Sequence, residues 1–208
     1  MTGPRPRAEA LLLDFDGVVC HHDPARSAIV EERYALAPGT VFATMMEWAR
    51  YLPAVTGRTT RAEWLDGVAE ALADRVGDVD RARALVRELD LYRGELDPLV
   101  LALVREVRAA GLPVALISNA TAELADDLAA FGIAGDFDAV VNSSVVGVHK
   151  PTVEFFQIAC EAVGVPPRHC LVVDDTDRNV RGARVAGLSA YRYEPPDDLR
   201  YVRAALGL

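Results

Sequence analysis

The sequence predicts an α/β domain built on a doubly wound parallel sheet, with a small all-helical unit inserted after the first strand. Three observations predict it. The runs Ala10-Leu11-Leu12-Leu13, Val114-Ala115-Leu116-Ile117 and Leu171-Val172-Val173 are apolar throughout rather than alternating, the pattern of parallel strands buried on both faces. From Pro98 onward such runs alternate with helical segments, the order of βαβ units with right-handed crossovers. Between residues 23 and 94 the pattern is helical, with no good strand run.

The elements follow in order. After the first strand, four helices are expected: Ala25 to Leu36, Thr40 to Tyr51, one opening at Thr60, and Asp80 to Leu91. Pro38 and Gly39 break the chain before the second. Thr60-Arg61-Ala62-Glu63 is a capping box, with Trp64, Val68 and Leu72 on one face of the helix that it opens. Asp97 caps a further helix with Pro98 at its first position, where the missing proline N–H costs nothing. That helix ends near Gly111, and Pro113 to Ile117 is the second core strand. Thr121 to Phe131 is a helix stopped by Gly132, and Asp138 to Asn142 a short strand. Pro151 to Val163 is a helix stopped by Gly164, and Cys170 to Asp174 the fourth strand. Val180 to Ala186 and Leu188 to Arg192 complete the alternation. The expected division is a core of residues 1–22 and 95–208 and a helical unit of residues 23–94.

Composition limits the function. The chain has 208 residues, 51% of them hydrophobic, enough for a sizeable core. A formal net charge of −9 argues against nucleic acid or an anionic membrane as the partner, so an anionic ligand must rely on local positive charge. Cys20, Cys160 and Cys170 show no metal-ligand spacing and suit a reducing compartment. The apolar run after Arg5 and Arg7 is cut by Asp14, so neither a signal peptide nor a membrane span is expected. The expected location is cytoplasmic.

Four polar signatures fall where apolar runs end: Asp14-Phe15-Asp16-Gly17, Ser118-Asn119, Lys150-Pro151 and Asp174-Asp175. Polar residues at the carboxyl ends of parallel strands lie at the ligand-binding edge of an α/β sheet. Four carboxylates gathered there repel one another unless a cation neutralises them. Oxygen ligands without a His or Cys cluster point to a hard ion, Mg²⁺ before Zn²⁺. A lysine and a hydroxyl beside that ion suit a phosphoryl group. Each motif taken alone also reads as a turn or a helix cap. Lys150 is less easily explained that way, because a lysine at a helix N-terminus opposes the macrodipole.

The ordered set resembles the haloacid dehalogenase (HAD) superfamily of aspartate-nucleophile phosphotransferases, across Asp14 to Asn179. The resemblance implies a Rossmann-like core and a helical cap after the first motif. It implies Asp14 as nucleophile and Asp16 as general acid and base, with the Asp16 carbonyl facing the metal. Gly17 gives a close backbone approach to phosphate, and Ser118 with the Asn119 backbone and amide binds the phosphoryl oxygens. Lys150 neutralises Asp14 and the transferred group. Asp174 and Asp175 hold Mg²⁺, Asp175 more directly. Asn179 stands where many relatives carry an aspartate, and its amide is expected to orient Asp175 or metal waters. Cys20, His21 and His22 are expected in a solvated loop, and Trp48 and Trp64 in core packing.

The implied reaction is Mg²⁺-dependent hydrolysis of a small phosphorylated metabolite by a monomer or homodimer. Asp16 counts against a dehalogenase, which needs no proton donor for halide. A phosphomutase of the same superfamily would keep every catalytic residue. A phospho-receiver or a non-catalytic binding protein is the alternative from another class. Receivers are shorter and place the acid pair and the phosphorylated aspartate in the opposite order.

Overall fold

Strand β1 (Ala10–Leu13) runs through the centre of a five-stranded parallel sheet. The computed structural model describes residues 7–195 and 199–208; Arg5, with the rest of residues 1–6, lies outside the described residues. The other strands of this sheet are β4 (Val114–Ser118), β5 (Ala139–Asn142), β6 (Cys170–Asp174) and β7 (Ser189–Arg192), in the order β5-β4-β1-β6-β7. Between β1 and β4 lie β2 (Cys20–His21), α1 (Pro24–Arg33), α2 (Thr40–Met45), α3 (Trp48–Val55), α4 (Arg61–Val76), α5 (Val79–Asp90), β3 (Glu95–Leu96) and α6 (Pro98–Ala109). The remaining helices are α7 (Leu124–Ala130), α8 (Ser143–Val146), α9 (Val153–Val163), α10 (Asp177–Val185) and α11 (Leu199–Leu206).

The uniformly apolar strands bury side chains on both faces. Leu11, Leu13, Val114, Leu116, Leu171 and Val173 pack with α6 and α11 on one side. Ala10, Leu12, Ala115, Ile117, Cys170 and Val172 pack with α9 and α10 on the other. This is the period-two division of a strand with no polar face. The strand order reverses at β1: β4 and β5 lie on one side, β6 and β7 on the other. In open α/β sheets the ligand crevice lies at such a reversal, at the carboxyl ends of the strands.

Helices α1, α2, α4 and α5 have a core of their own, made by Leu36, Val41, Val68, Ala69, Leu72, Val76, Ala82, Leu85 and Val86. Thr60 and Glu63 form the expected capping box, and Asp97 accepts hydrogen bonds from Leu99 and Val100 N–H at 2.8 and 3.1 Å. The two connections to this helical unit pair with each other as antiparallel β2 and β3. Two-residue strands carry no periodic signal and are not expected from the sequence; neither is α11.

Several boundaries differ from expectation. The single helix expected over Thr40 to Tyr51 is two, because Glu47 takes an extended conformation (φ −56°, ψ 121°) between α2 and α3. Helix α9 begins at Val153 rather than Pro151, since Thr152 is extended and caps it from Oγ1 to Phe155 N–H. Lys150 is therefore on the loop before the cap, and the macrodipole argument does not apply to it. Helix α7 starts at Leu124; neither Asn119 nor Thr121 caps it. Helix α10 starts at Asp177, three residues before the expected Val180.

Glu31 is 1% exposed and accepts hydrogen bonds from Gly39 N–H and Val41 N–H, both at 2.6 Å, thereby shaping the turn between α1 and α2. Glu31→Ala removes both bonds to the charged acceptor and should destabilise the protein by about 2–4 kcal/mol, with Glu31→Gln costing less. Urea denaturation checks this; an alanine variant as stable as the parent would show that the turn holds without the carboxylate.

Candidate active site

The adjacent ends of β4, β1 and β6 deliver Ser118, Asp14 and Asp174 to one edge of the sheet. Asp14 directly follows β1 and donates its N–H to Val173 O at 2.9 Å, so it continues the pairing with β6. Its side chain turns back and accepts from Phe15 N–H at 2.7 Å. The chain then reverses tightly, with Phe15 O accepting from Val19 and Cys20 N–H, both at 2.9 Å. Gly17 sits in this reversal at φ +79°, and a Cβ there would collide with the Asp175 carboxylate. Only glycine combines that backbone with that approach.

Lys150 is the centre of the site. Its side chain is 1% exposed, and Nζ lies 2.7 Å from Asp14 Oδ1 and 2.7 Å from Asp174 Oδ2. Burial opposes its charge, but the two carboxylates outweigh burial and raise its pKa above the ordinary lysine value. Burial pushes Asp14 well above the usual carboxylate range, and Asp174 adds to that, against the pull of Lys150. Asp174 goes the other way. Burial would raise it, but Lys150 and the surrounding donors hold it below the usual value. Those donors are Thr176 N–H at 2.9 Å and the Asn179 amide at 3.0 and 3.1 Å.

Asp14, Asp174 and Asp175 each present an oxygen within 4.8 Å of the others. Asp175 is half-buried and accepts from Thr176 Oγ1 at 3.1 Å; desolvation and then Asp174 raise its pKa. Asp16 stands apart from this cluster. Its carboxylate is 58% exposed, 3.7 Å from His22 Nδ1. Desolvation by the cleft walls, with Asp175 and Asp127 nearby, nevertheless raises its pKa against His22 and Lys150.

Two amides do work different from that expected of them. The Asn119 side chain donates to Lys150 O at 3.0 Å and accepts from Lys150 N–H at 2.8 Å. It grips the lysine's backbone through both its donor and its acceptor. Asn179 is buried and clamps Asp174, rather than Asp175. Ser118 is 1% exposed at the end of β4, beside Asp14's strand.

The helical unit covers the edge. Tyr51 donates its hydroxyl to Asn119 O at 3.2 Å, and burial raises that phenol to about 12. Trp48 is not core packing as expected. It is 46% exposed, with His149 edge-on at 5.2 Å and the Arg178 guanidinium 5.5 Å from its ring centroid. Trp64 does pack against the helical unit's own core. Cys20 is buried and His21 Nε2 lies 3.1 Å from Asp97 Oδ2, so neither is a solvated loop residue.

The geometry makes Lys150 the partner of two buried carboxylates. In Lys150→Met, Asp14 and Asp174 face each other without a cation, at a cost of about 3–5 kcal/mol near neutral pH. Without the lysine, Asp14 rises further above its unfolded value and Asp174 loses the pairing that held it below, so the folded state of the variant binds more protons than that of the parent and its stability falls relative to the parent as pH rises. The variant should therefore lose least stability against the parent near pH 5 and most near pH 8. Denaturant midpoints across that range check this; a pH-independent difference would refute it.

A family model described as haloacid dehalogenase-like hydrolase matches residues 8–187. The chain is 35% identical to a phosphoserine phosphatase of Thermus thermophilus over 152 residues, covering 69% of this chain and 60% of that protein. It is 33% identical to the fructose-1-phosphate phosphatase YqaB of Escherichia coli over 130 residues, 59% of this chain and 69% of that one. A phosphoglycolate phosphatase of Escherichia coli is 27% identical over 199 residues, 84% of this chain and 76% of that one. The fold matches a HAD family enzyme of Bacteroides thetaiotaomicron, in complex with magnesium and inorganic phosphate, with a TM-score of 0.72 at 20% identity, covering 94% of this chain and 98% of that one. The L-2-haloacid dehalogenase RSc1362 matches with a TM-score of 0.71 at 22% identity, covering 98% and 100%. No helix among the described residues is long and apolar enough to cross a membrane. With its ordered motifs, its parallel sheet and a family model spanning most of its length, the chain belongs to the haloacid dehalogenase-like hydrolases.

Proposed function

We propose that this protein is a Mg²⁺-dependent phosphatase that hydrolyses a small phosphorylated metabolite through an aspartyl-phosphate on Asp14. The observation that carries the proposal is the Lys150 ammonium held between Asp14 and Asp174, with Asp175 alongside, at the strand-order reversal. The relatives named as phosphatases support the same reading.

The donor set fits a hard divalent cation. Three carboxylates converge without a His or Cys among them, and the raised pKa values of Asp14 and Asp175 mark negative charge that Lys150 alone does not neutralise. Asp14, Asp175 and the Asp16 carbonyl would hold Mg²⁺. Asp174, its oxygens already engaged by Lys150, Asn179 and Thr176, would act mainly as support. When bound, Mg²⁺ supplies positive charge to the phosphoryl oxygens and keeps Asp14 ionised.

The protein's own groups carry the two steps. An Asp14 oxygen attacks phosphorus, the bond from phosphorus to the ester oxygen breaks, and that oxygen takes the proton of Asp16. Asp16 then removes a proton from water, the water oxygen attacks phosphorus, and phosphate leaves with Asp14 restored. The raised pKa of Asp16 suits a group that must first hold and then accept a proton. Lys150, Ser118 and the Gly17 backbone would cradle the phosphoryl oxygens, with Asn119 holding Lys150 in place. A dehalogenase shares this fold, but a halide leaves without a proton and gives Asp16 no task. The helical unit of residues 23–94 would act as a cap that excludes water from the cleft.

Asp14→Asn should reduce hydrolysis of p-nitrophenyl phosphate at least a thousandfold while the protein keeps a cooperative thermal transition. Full activity in the folded variant would refute the covalent route. Chelation should abolish turnover, and Asp175→Ala should raise the Mg²⁺ concentration for half activity at least tenfold. Undiminished turnover after exhaustive chelation would remove the metal from the proposal.

A further inference from the structure

The seam between the helical unit and the sheet edge gathers Trp48 and Tyr51 from one side and His149 and Arg178 from the other. Arg178 stands in the first turn of α10, three residues past Asp175, next to Asn179, which turns inward to Asp174. Successive helix positions point about 100° apart, so Arg178 projects out of the buried site while Asn179 projects into it.

The arginines near this cleft differ in what they contact. Arg26 lies near Glu95, Arg33 pairs with Glu88, Arg50 with Glu47, Arg61 with Asp90 and Asp127, and Arg93 with Asp127. Lys150 is held by two aspartates. Arg178 is exposed, has no carboxylate partner among the described residues, and rests on the Trp48 ring. A guanidinium held over an aromatic ring spends none of its N–H donors on it, so the planar fork that matches a carboxylate remains available. A chain of net charge −9 has little reason to leave an unpaired cation beside an acidic cluster unless an anion visits it.

We propose that Arg178, oriented by Trp48, is the specificity-determining residue for a substrate that carries a carboxylate on its leaving group, in addition to the phosphate. This rests on the phosphatase reading of the same site. The phosphoryl end is met by Lys150 and the carboxylate cluster. The far end extends into the seam, where Arg178 binds its carboxylate and Trp48 covers its carbon skeleton. A carboxylate fits better than a second phosphate, because a dianion would meet greater repulsion beside Asp175 and Asp177.

The test compares 2-phosphoglycolate with ethyl phosphate, which has the same chain length without the carboxylate. The wild-type protein with Mg²⁺ should favour 2-phosphoglycolate by at least about tenfold in kcat/KM, the size expected for one charge-assisted contact. Arg178→Gln should abolish that preference, chiefly through KM, and Arg178→Lys should restore part of it. No preference in the wild type would overturn the proposal. So would a preference that survives in Arg178→Gln, or an equal fall for both esters, which would mark Arg178 as a docking residue for the helical unit. If the wild type hydrolyses no phosphate ester, the phosphatase reading fails, and calorimetric binding decides the subsite separately. Tighter binding of 2-phosphoglycolate than of ethyl phosphate, lost in Arg178→Gln, would uphold the subsite; equal binding would end it.

Discussion

One ammonium group holds three strands' worth of chemistry together. Lys150 Nζ is 2.7 Å from a carboxylate that follows β1 and 2.7 Å from one that ends β6, and all three groups are almost wholly buried. Buried charges of this kind are tolerated only when each is paired and its remaining hydrogen-bonding capacity is met. The surrounding structure meets it. Thr176 N–H and the Asn179 amide complete Asp174, Phe15 N–H donates to Asp14, and Asn119 clamps the Lys150 backbone from the end of β4. The neighbours most tightly bound to the site therefore serve the lysine and its two partners before they serve any ligand.

That arrangement divides the acids by electrostatics. Asp174 is held ionised by its donors, whereas Asp14 and Asp175 are raised and so remain responsive to a further cation. Two adjacent residues in sequence, Asp174 and Asp175, thus differ in character because one side chain points into the sheet edge and the other toward the Gly17 reversal. Asp16 differs again, since it lies in the open cleft rather than among the buried charges. In the proposed reaction the four carboxylates would divide among support, nucleophilic attack, metal ligation and proton transfer along these same lines.

The helical unit joins the sheet edge by contacts of another kind. Tyr51 bonds a backbone carbonyl of the β4 loop, Gly57 packs so closely on the Ser144 carbonyl that a Cβ would collide with it, and Arg61 reaches Asp127 of α7. These are a few polar, part-buried contacts, unlike the apolar packing inside each part. Inter-domain contacts of this size allow relative motion by default. The two connections between the parts pair with each other as β2 and β3.

The sequence alone determined the parallel sheet, the helical insert and the identity of the charged groups, because each rests on local information. Short uniform apolar runs that alternate with helical segments mark strands covered on both sides, and acids directly after parallel strands emerge at one edge of the sheet. The capping box at Thr60 and the Asp97-Pro98 start were readable for the same reason: a cap is satisfied within four residues. Tertiary structure decided what each polar side chain touches. The break at Glu47, the inward turn of Asn179 to Asp174, the grip of Asn119 on Lys150 and the meeting of Trp48 with His149 and Arg178 all depend on groups far away in sequence. Periodicity reports which face of an element is apolar, whereas the partner of a buried amide or of a half-exposed tryptophan is set by how separate elements approach each other in space.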